Sequence, residues 1–196
     1  EVNKNTLIPR PETELMVEKL LTYFKQKKVK ILDIGTGTGC ILVSLLSELK
    51  KSSGVGIDIS KKALLIANKN AKRYLKESRY KFINKSFKDV YNYKFDLIVS
   101  NPPYIKSIDM KNLDQDIKRF EPHIALDGGN DGLDVIRKVI YKAKEILKID
   151  GMLALEIGNG QFKKVSEILK NNNFKIENRI KDFEDNIRCI ISSLKR

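Results

Sequence analysis

VKILDIGTGTGCILVSLLSELKK, residues 29–51, decides the fold. Val29 to Ile34 form a short apolar run rich in β-branched residues, and it ends at a glycine. That reads as a buried strand. Gly35, Gly37 and Gly39 follow at alternate positions. They permit a tight turn and a close backbone approach to a ligand. Residues 40–51 then read as a helix. A strand, a glycine loop and a helix make the first half of a parallel crossover unit.

The pattern continues outward on both sides. Residues 11–26, PETELMVEKLLTYFKQ, open with proline and acidic residues, as helix N-termini do. GVGIDI at 54–59 reads as a strand and 60–75 as a helix capped by Ser60. Strands are expected at 80–84 and 94–100. NPPY at 101–104 must end pairing there, because proline cannot donate to a ladder. Residues 105–127 read as an irregular polar insertion, and DGGNDG at 127–132 consists of turn formers. A helix at 133–148, a strand at 151–158 and a helix at 161–173 follow. Two adjacent strands, FKIENRI and IRCIISSL, flank the turn FEDN at 183–186. Alternating strands and helices predict an α/β fold with a doubly wound, mostly parallel seven-stranded sheet and an antiparallel C-terminal hairpin at one edge.

Composition excludes several classes. The chain has 196 residues, 41% hydrophobic and 32% charged, which suits a globular domain and not a disordered one. No apolar run reaches the roughly 18–20 residues of a membrane span. Two cysteines, Cys40 and Cys189, make no disulfide framework or zinc cluster, so no metal is expected. Cys40 reads as a small buried hydrophobe. His123, the single histidine, reads as structural or surface. Free cysteines and no export segment suggest the cytoplasm. The net charge of +13 suits polyanionic surroundings such as nucleic acid, and equally the Lys-, Asn- and Ile-rich composition of an AT-rich genome.

The glycine spacing is neither the dinucleotide fingerprint nor a phosphate-binding P-loop. Asp58 ends the second strand, where a carboxylate can accept from both ribose hydroxyls. Asp33, just below the loop, could help hold an ammonium group. A ligand with a ribose, an amino-acid tail and no phosphate fits: S-adenosylmethionine. Gly39 also fits a purely packing role, Asp58 a helix cap, and Phe87 either an adenine cover or an ordinary core position.

Asn101-Pro102-Pro103-Tyr104 lies at the carboxyl end of the fourth strand, across the switch point from the glycine loop. A planar amide or aromatic amine is a poor nucleophile, because its lone pair is delocalised. The Asn101 side-chain oxygen and the Pro102 carbonyl can each accept one N–H, while Tyr104 offers a flat packing face. Two prolines stiffen this arrangement, so little reorganisation is needed. The motif suits nucleobase amino groups and glutamine carboxamides alike.

IPRPETE at 8–14, DIGTGTGC at 33–40, GIDIS at 56–60, SNPPYI at 100–105 and the FEP…ALDGGNDGLD stretch at 120–134 resemble the HemK/PrmC family. These protein-(glutamine-N5) methyltransferases act on the Gly-Gly-Gln motif of bacterial peptide chain release factors. The resemblance covers essentially the whole chain. It implies that Gly35, Thr36, Gly37, Thr38, Gly39, Asp58 and Asn101 contact S-adenosylmethionine, and that S-adenosylhomocysteine is the product. It places residues 101–104 against the glutamine, and Arg10 and Thr13 in a loop near the cofactor. Ser86-Phe87 stands where related sequences can show an acid and a tryptophan.

Residues 1–196 are thus expected to form one catalytic domain, with an N-terminal loop and helix at 1–26 and an insertion at 105–132. The start at Glu1 suggests a piece of a longer polypeptide, without the helical domain that helps the family dock release factors. The alternative function is an adenine-N6 DNA or RNA methyltransferase; a non-catalytic nucleic-acid-binding module is a third reading. A DNA enzyme of that kind usually carries a target-recognition segment that grips the duplex and flips the base. The insertion is short for that and is not basic. Lys106, Lys111, Lys118 and Arg119 are outnumbered there by Asp109, Asp114, Asp116, Glu121 and Asp127.

Overall fold

A computed structural model describes residues 1–91 and 93–195. Its centre is a seven-stranded sheet. In chain order the strands are β1 (Lys30–Ile34), β2 (Ser53–Asp58), β3 (Tyr80–Asn84), β4 (Phe95–Ser100), β5 (Leu147–Glu156), β6 (Phe174–Lys181) and β7 (Ile187–Leu194). Their spatial order is β3-β2-β1-β4-β5-β7-β6. The first five run parallel, and β7 inserts antiparallel between β5 and β6. The expected α/β sheet and edge hairpin are therefore both present.

Alternation within the strands builds two cores. Leu32 and Ile34 of β1 point to one face, with Ile98, Leu153 and Leu155. There they meet α5 (Asp134–Ile146) and α6 (Phe162–Asn171) through Ile136, Val139, Ile140, Val165 and Leu169. Ile31, Leu97, Val99 and Ala154 point the other way. That face is covered by α1 (Pro11–Phe24) and α2 (Cys40–Glu48) and touched by α3 (Lys61–Tyr74) at Ala71. Met16, Leu20 and Phe24 recur on one stripe of α1 and are buried. Each such side chain contributes roughly 1.5–3 kcal/mol of burial. A sheet covered on both faces explains why its central strands read as continuous apolar runs.

Ser60 caps α3 as expected, its hydroxyl accepting from Ala63 N–H at 3.2 Å. The boundaries differ most around β5: the helix expected at 133–148 ends at Ile146. The strand expected at 151–158 runs from Leu147, directly after α5, to Glu156; Asp150, with a left-handed φ of 60°, lies where its register against β4 shifts. Lys148 and Asp150 are polar and Ile149 between them is exposed, so no buried apolar run marks that strand start; Lys148 pairs with Asp96 at 2.7 Å. The insertion is also less irregular than expected. It holds a 3₁₀ stretch at Ser107–Asn112, the short helix α4 (Gln115–Phe120) and a 3₁₀ turn at His123–Ala125. His123 is exposed. Among the described residues no helix is long and apolar enough to cross a membrane, and no acidic, His or Cys group is arranged to hold a metal.

Candidate active site

The carboxyl ends of β1, β2, β4 and β5 lie side by side along one sheet edge, where the glycine loop follows β1, Asp58 ends β2 and NPPY follows β4. The Ser100 hydroxyl donates to the Ile34 carbonyl at 2.8 Å. This buried bond ties the start of NPPY to the start of the glycine loop.

The three loop glycines divide by environment. Gly35, Gly37 and Gly39 all have positive φ, at 70°, 55° and 78°. A Cβ on Gly35 would meet nothing within 4 Å. On Gly39 it would sit 3.1 Å from both the Ala67 Cβ and the Phe82 ring. Gly39 is thus held by packing, whereas Gly35 borders open space. Thr36 and Thr38 are buried beneath the loop. The Thr36 hydroxyl donates to Asp33 Oδ2 at 2.6 Å, and Thr38 Oγ1 accepts from Cys40 N–H at 3.3 Å. What these threonines can present to a ligand is backbone.

Asp33 is fully buried and its Oδ1 has no partner. Burial pushes its carboxyl up to about 7, against the pull of the Thr36 hydroxyl. Asp58 accepts from Gly37 N–H at 2.9 Å and Ser60 N–H at 2.8 Å, so it both braces the loop and caps the turn into α3. A carboxylate has about four lone-pair sites, so each oxygen can accept once more. Ile59 beside it is 58% exposed, an apolar surface at the site edge that the sequence reading passed over. Phe87 is half-buried at the start of a 3₁₀ turn and packs against the core. Cys40 is half-buried rather than buried, and desolvation raises its thiol to about 12.

NPPY is held from three sides. Arg10 bonds Glu121 at 2.6 Å, and Glu121 is nearly inaccessible. The Thr13 hydroxyl donates to the buried Glu156 at 2.5 Å, and Glu12 pairs with Arg188 at 3.3 Å. Arg188 also reaches the Tyr104 hydroxyl at 3.3 Å. Burial pushes that phenol up to about 12. The RPETE segment therefore straps β5, the insertion and the C-terminal hairpin onto one place. Arg10 precedes α1, while Thr13 lies in its first turn and not in a loop. The glycine-rich segment braces NPPY from below. Next to the motif, Ile105 N–H donates to the Leu126 carbonyl at 3.0 Å and Gly128 N–H donates to the Ile105 carbonyl at 2.7 Å. A Cβ on Gly132 would clash with the Tyr104 carbonyl. Gln161 Nε2 donates to that carbonyl at 2.9 Å. A cavity of about 180 Å³ opens here, walled by Leu7, Arg10, Asn101, Tyr104, Ile105 and Leu126. Glu156, Arg188 and Gln161 were not singled out from sequence, and Glu121 entered only as part of the FEP stretch. Only their long-range partners mark them.

A glycine loop and acidic strand end facing NPPY, on this sheet order, define a class I S-adenosylmethionine-dependent methyltransferase. Residues 11–119 match the Methyltransferase small domain family. The chain resembles solved structures of a ribosomal protein L11 methylase from Lactobacillus delbrueckii subsp. bulgaricus (TM-score 0.70, 20% identity) and of a methyltransferase from Pyrococcus furiosus (TM-score 0.71, 18% identity). These cover 96% and 97% of this chain and 81% and 86% of theirs, and they share its fold. Release factor glutamine methyltransferases are nearer in sequence. That of Agrobacterium fabrum is 40% identical, with 96% of this chain covered. That of Flavobacterium psychrophilum is 43% identical over 96%, and that of Fusobacterium nucleatum 41% over 98%. The chain spans 67%, 68% and 55% of those three relatives' lengths. It belongs to the release factor glutamine methyltransferase family.

Proposed function

We propose that this chain methylates the side-chain amide nitrogen of the glutamine in the Gly-Gly-Gln motif of bacterial peptide chain release factors. The observation that carries the reading is the cavity in which Asn101 and Tyr104 meet Arg10, locked beside the glycine loop by the Ser100–Ile34 bond. S-adenosylmethionine supplies an electrophilic methyl group and leaves as S-adenosylhomocysteine. The residues present fit it. Asp33 keeps an unpartnered buried oxygen for an ammonium, Gly35 leaves open space, and Asp58 has acceptor capacity for two ribose hydroxyls. Ile59 and Phe87 offer apolar surface for the adenine. Gly35 to Gly39, with Thr36 and Thr38, contribute backbone.

Asn101 Oδ1 accepts one N–H of the glutamine amide and the Pro102 carbonyl accepts the other. Together they hold the nitrogen with its lone pair free of the carbonyl. Pro103 stiffens the turn, and Tyr104 packs on the amide plane. The methylated nitrogen, still carrying its proton, is strongly acidic and releases that proton to water, so no side-chain base is assigned. Residues 1–196 act as one catalytic unit, since the N-terminal segment, the insertion and the C-terminal hairpin all bond around this site. Release factors place the work in the cytoplasm. Direct nucleic-acid binding through the +13 charge is not required by this reading.

The test is single-turnover methylation by an Asn101→Ala variant. Loss of one preorganised acceptor should lower the rate about 10²–10³-fold. Cofactor affinity should change little, because the glycine loop and Asp58 remain. A variant turning over at the native rate would remove Asn101 from the site.

A further inference from the structure

Glu156 ends β5 and its side chain is wholly buried beside NPPY. Ser100 pairs with Leu155 in the parallel register of β4 and β5, so Asn101 and Glu156 follow side by side at the ends of the two strands. One oxygen, Oε2, accepts the Thr13 hydroxyl at 2.5 Å. The other, Oε1, is buried with no partner. Buried carboxylate oxygens rarely stay unpaired without a reason. The Asn101 amide is the polar group of the motif beside it. An asparagine amide has a donor end and an acceptor end, and a half-turn about χ2 exchanges them. Only the acceptor end can take an N–H from a substrate amide. A carboxylate neighbour accepts only from the donor end and repels the other.

We propose that Glu156 is a positioning residue: Oε1 accepts from Asn101 Nδ2, which turns Asn101 Oδ1 toward the substrate amide, while Thr13 holds Oε2 in place. This rests on the reading that Asn101 accepts a substrate N–H. It also gives the RPETE segment a part in the chemistry, since Thr13 is the hydroxyl that anchors the carboxylate from a distance of 143 residues along the chain.

The experiment compares wild type, Glu156→Met, Glu156→Gln, Asn101→Ala and the Asn101→Ala/Glu156→Met double variant. Single-turnover methylation of a release factor and calorimetric binding of S-adenosylmethionine are measured for each. Methionine matches the length but offers no acceptor, so the rate should fall about 100-fold, with cofactor affinity within about twofold. Glutamine can donate to Thr13 Oγ1 and still accept from Asn101, so it should stay within about tenfold of wild type. In the Asn101→Ala background, Glu156→Met should cause no further loss, because the two act as a unit. A native rate for Glu156→Met, or losses that multiply in the double variant, would overturn the proposal and leave the Asn101 reading standing. A native rate for Asn101→Ala would overturn both. Should Glu156→Met bind no cofactor, Thr13→Val takes its place. It should slow the rate about tenfold in wild type and not at all in Asn101→Ala; an unchanged or multiplicative effect would overturn the proposal.

Discussion

Gly35→Ala and Gly39→Ala form a matched pair whose outcomes should diverge. Both residues have left-handed φ, 70° and 78°, so each alanine incurs about 1–2 kcal/mol of backbone strain. The surroundings differ. Alanine at 35 meets open space, so strain is its whole stability cost. Alanine at 39 presses on Ala67 and Phe82 at 3.1 Å, adding the roughly 1–3 kcal/mol of an overpacked contact. For a chain of this size 1 kcal/mol shifts Tm by about 2–4 °C. Gly35→Ala should therefore melt about 2–8 °C low and Gly39→Ala about 4–20 °C low. Binding should rank the other way. Gly35 borders the space assigned to the cofactor, so its alanine should weaken S-adenosylmethionine by at least about tenfold, roughly 1.4 kcal/mol. Gly39→Ala, where it remains folded, should bind nearly normally. Differential scanning fluorimetry and titration calorimetry read both quantities. A Gly35→Ala variant with native affinity, or a Gly39→Ala variant as stable as Gly35→Ala, would refute the division of the loop into a binding and a packing glycine.

Asp58→Ala should cost about 1.5–3 kcal/mol of S-adenosylmethionine binding, the range for hydrogen bonds to a charged group, as read by calorimetry. Because Asp58 also accepts from Gly37 and Ser60, Tm should fall as well; unchanged affinity would remove it from the ribose site. Asp33 carries a pH signature. Its carboxyl is raised from 3.8 to about 7 by burial, so the folded state holds a proton that the unfolded chain has lost. Stability should then fall as pH rises through about 4 to 7, by roughly 2–4 kcal/mol at most. Asp33→Asn should flatten that part of the curve in denaturant melts; an unchanged slope would show that Asp33 ionises freely in the fold.

Much of the fold was legible because its signals are local. Apolar runs ending at Gly35 and at Asn101, and the seryl cap at 60, report on neighbours a few residues away. The start of β5 was not legible, since Lys148 and Asp150 are polar, Ile149 between them is exposed, and the strand continues only through a left-handed Asp150. Positions of the motif residues followed from topology: strand ends at a switch point lie together. The supporting side chains did not. Glu121 looks like any surface acid until Arg10 arrives from 111 residues away, and Gln161 like any surface amide until the Tyr104 carbonyl arrives from 57. Resemblance marked RPETE and GGNDG as segments; only the folded contacts show that both grip NPPY.

The most direct measurement is mass spectrometry of a bacterial release factor after incubation with this protein and S-adenosylmethionine. A second sample carries alanine for the glutamine of the Gly-Gly-Gln motif, and a third replaces release factor with adenine-containing duplex DNA. The predicted result is one added methyl group, located by fragmentation on that glutamine, with none on the alanine version or the DNA. Methyl transfer to adenine, or labelling of the alanine version, would contradict the account.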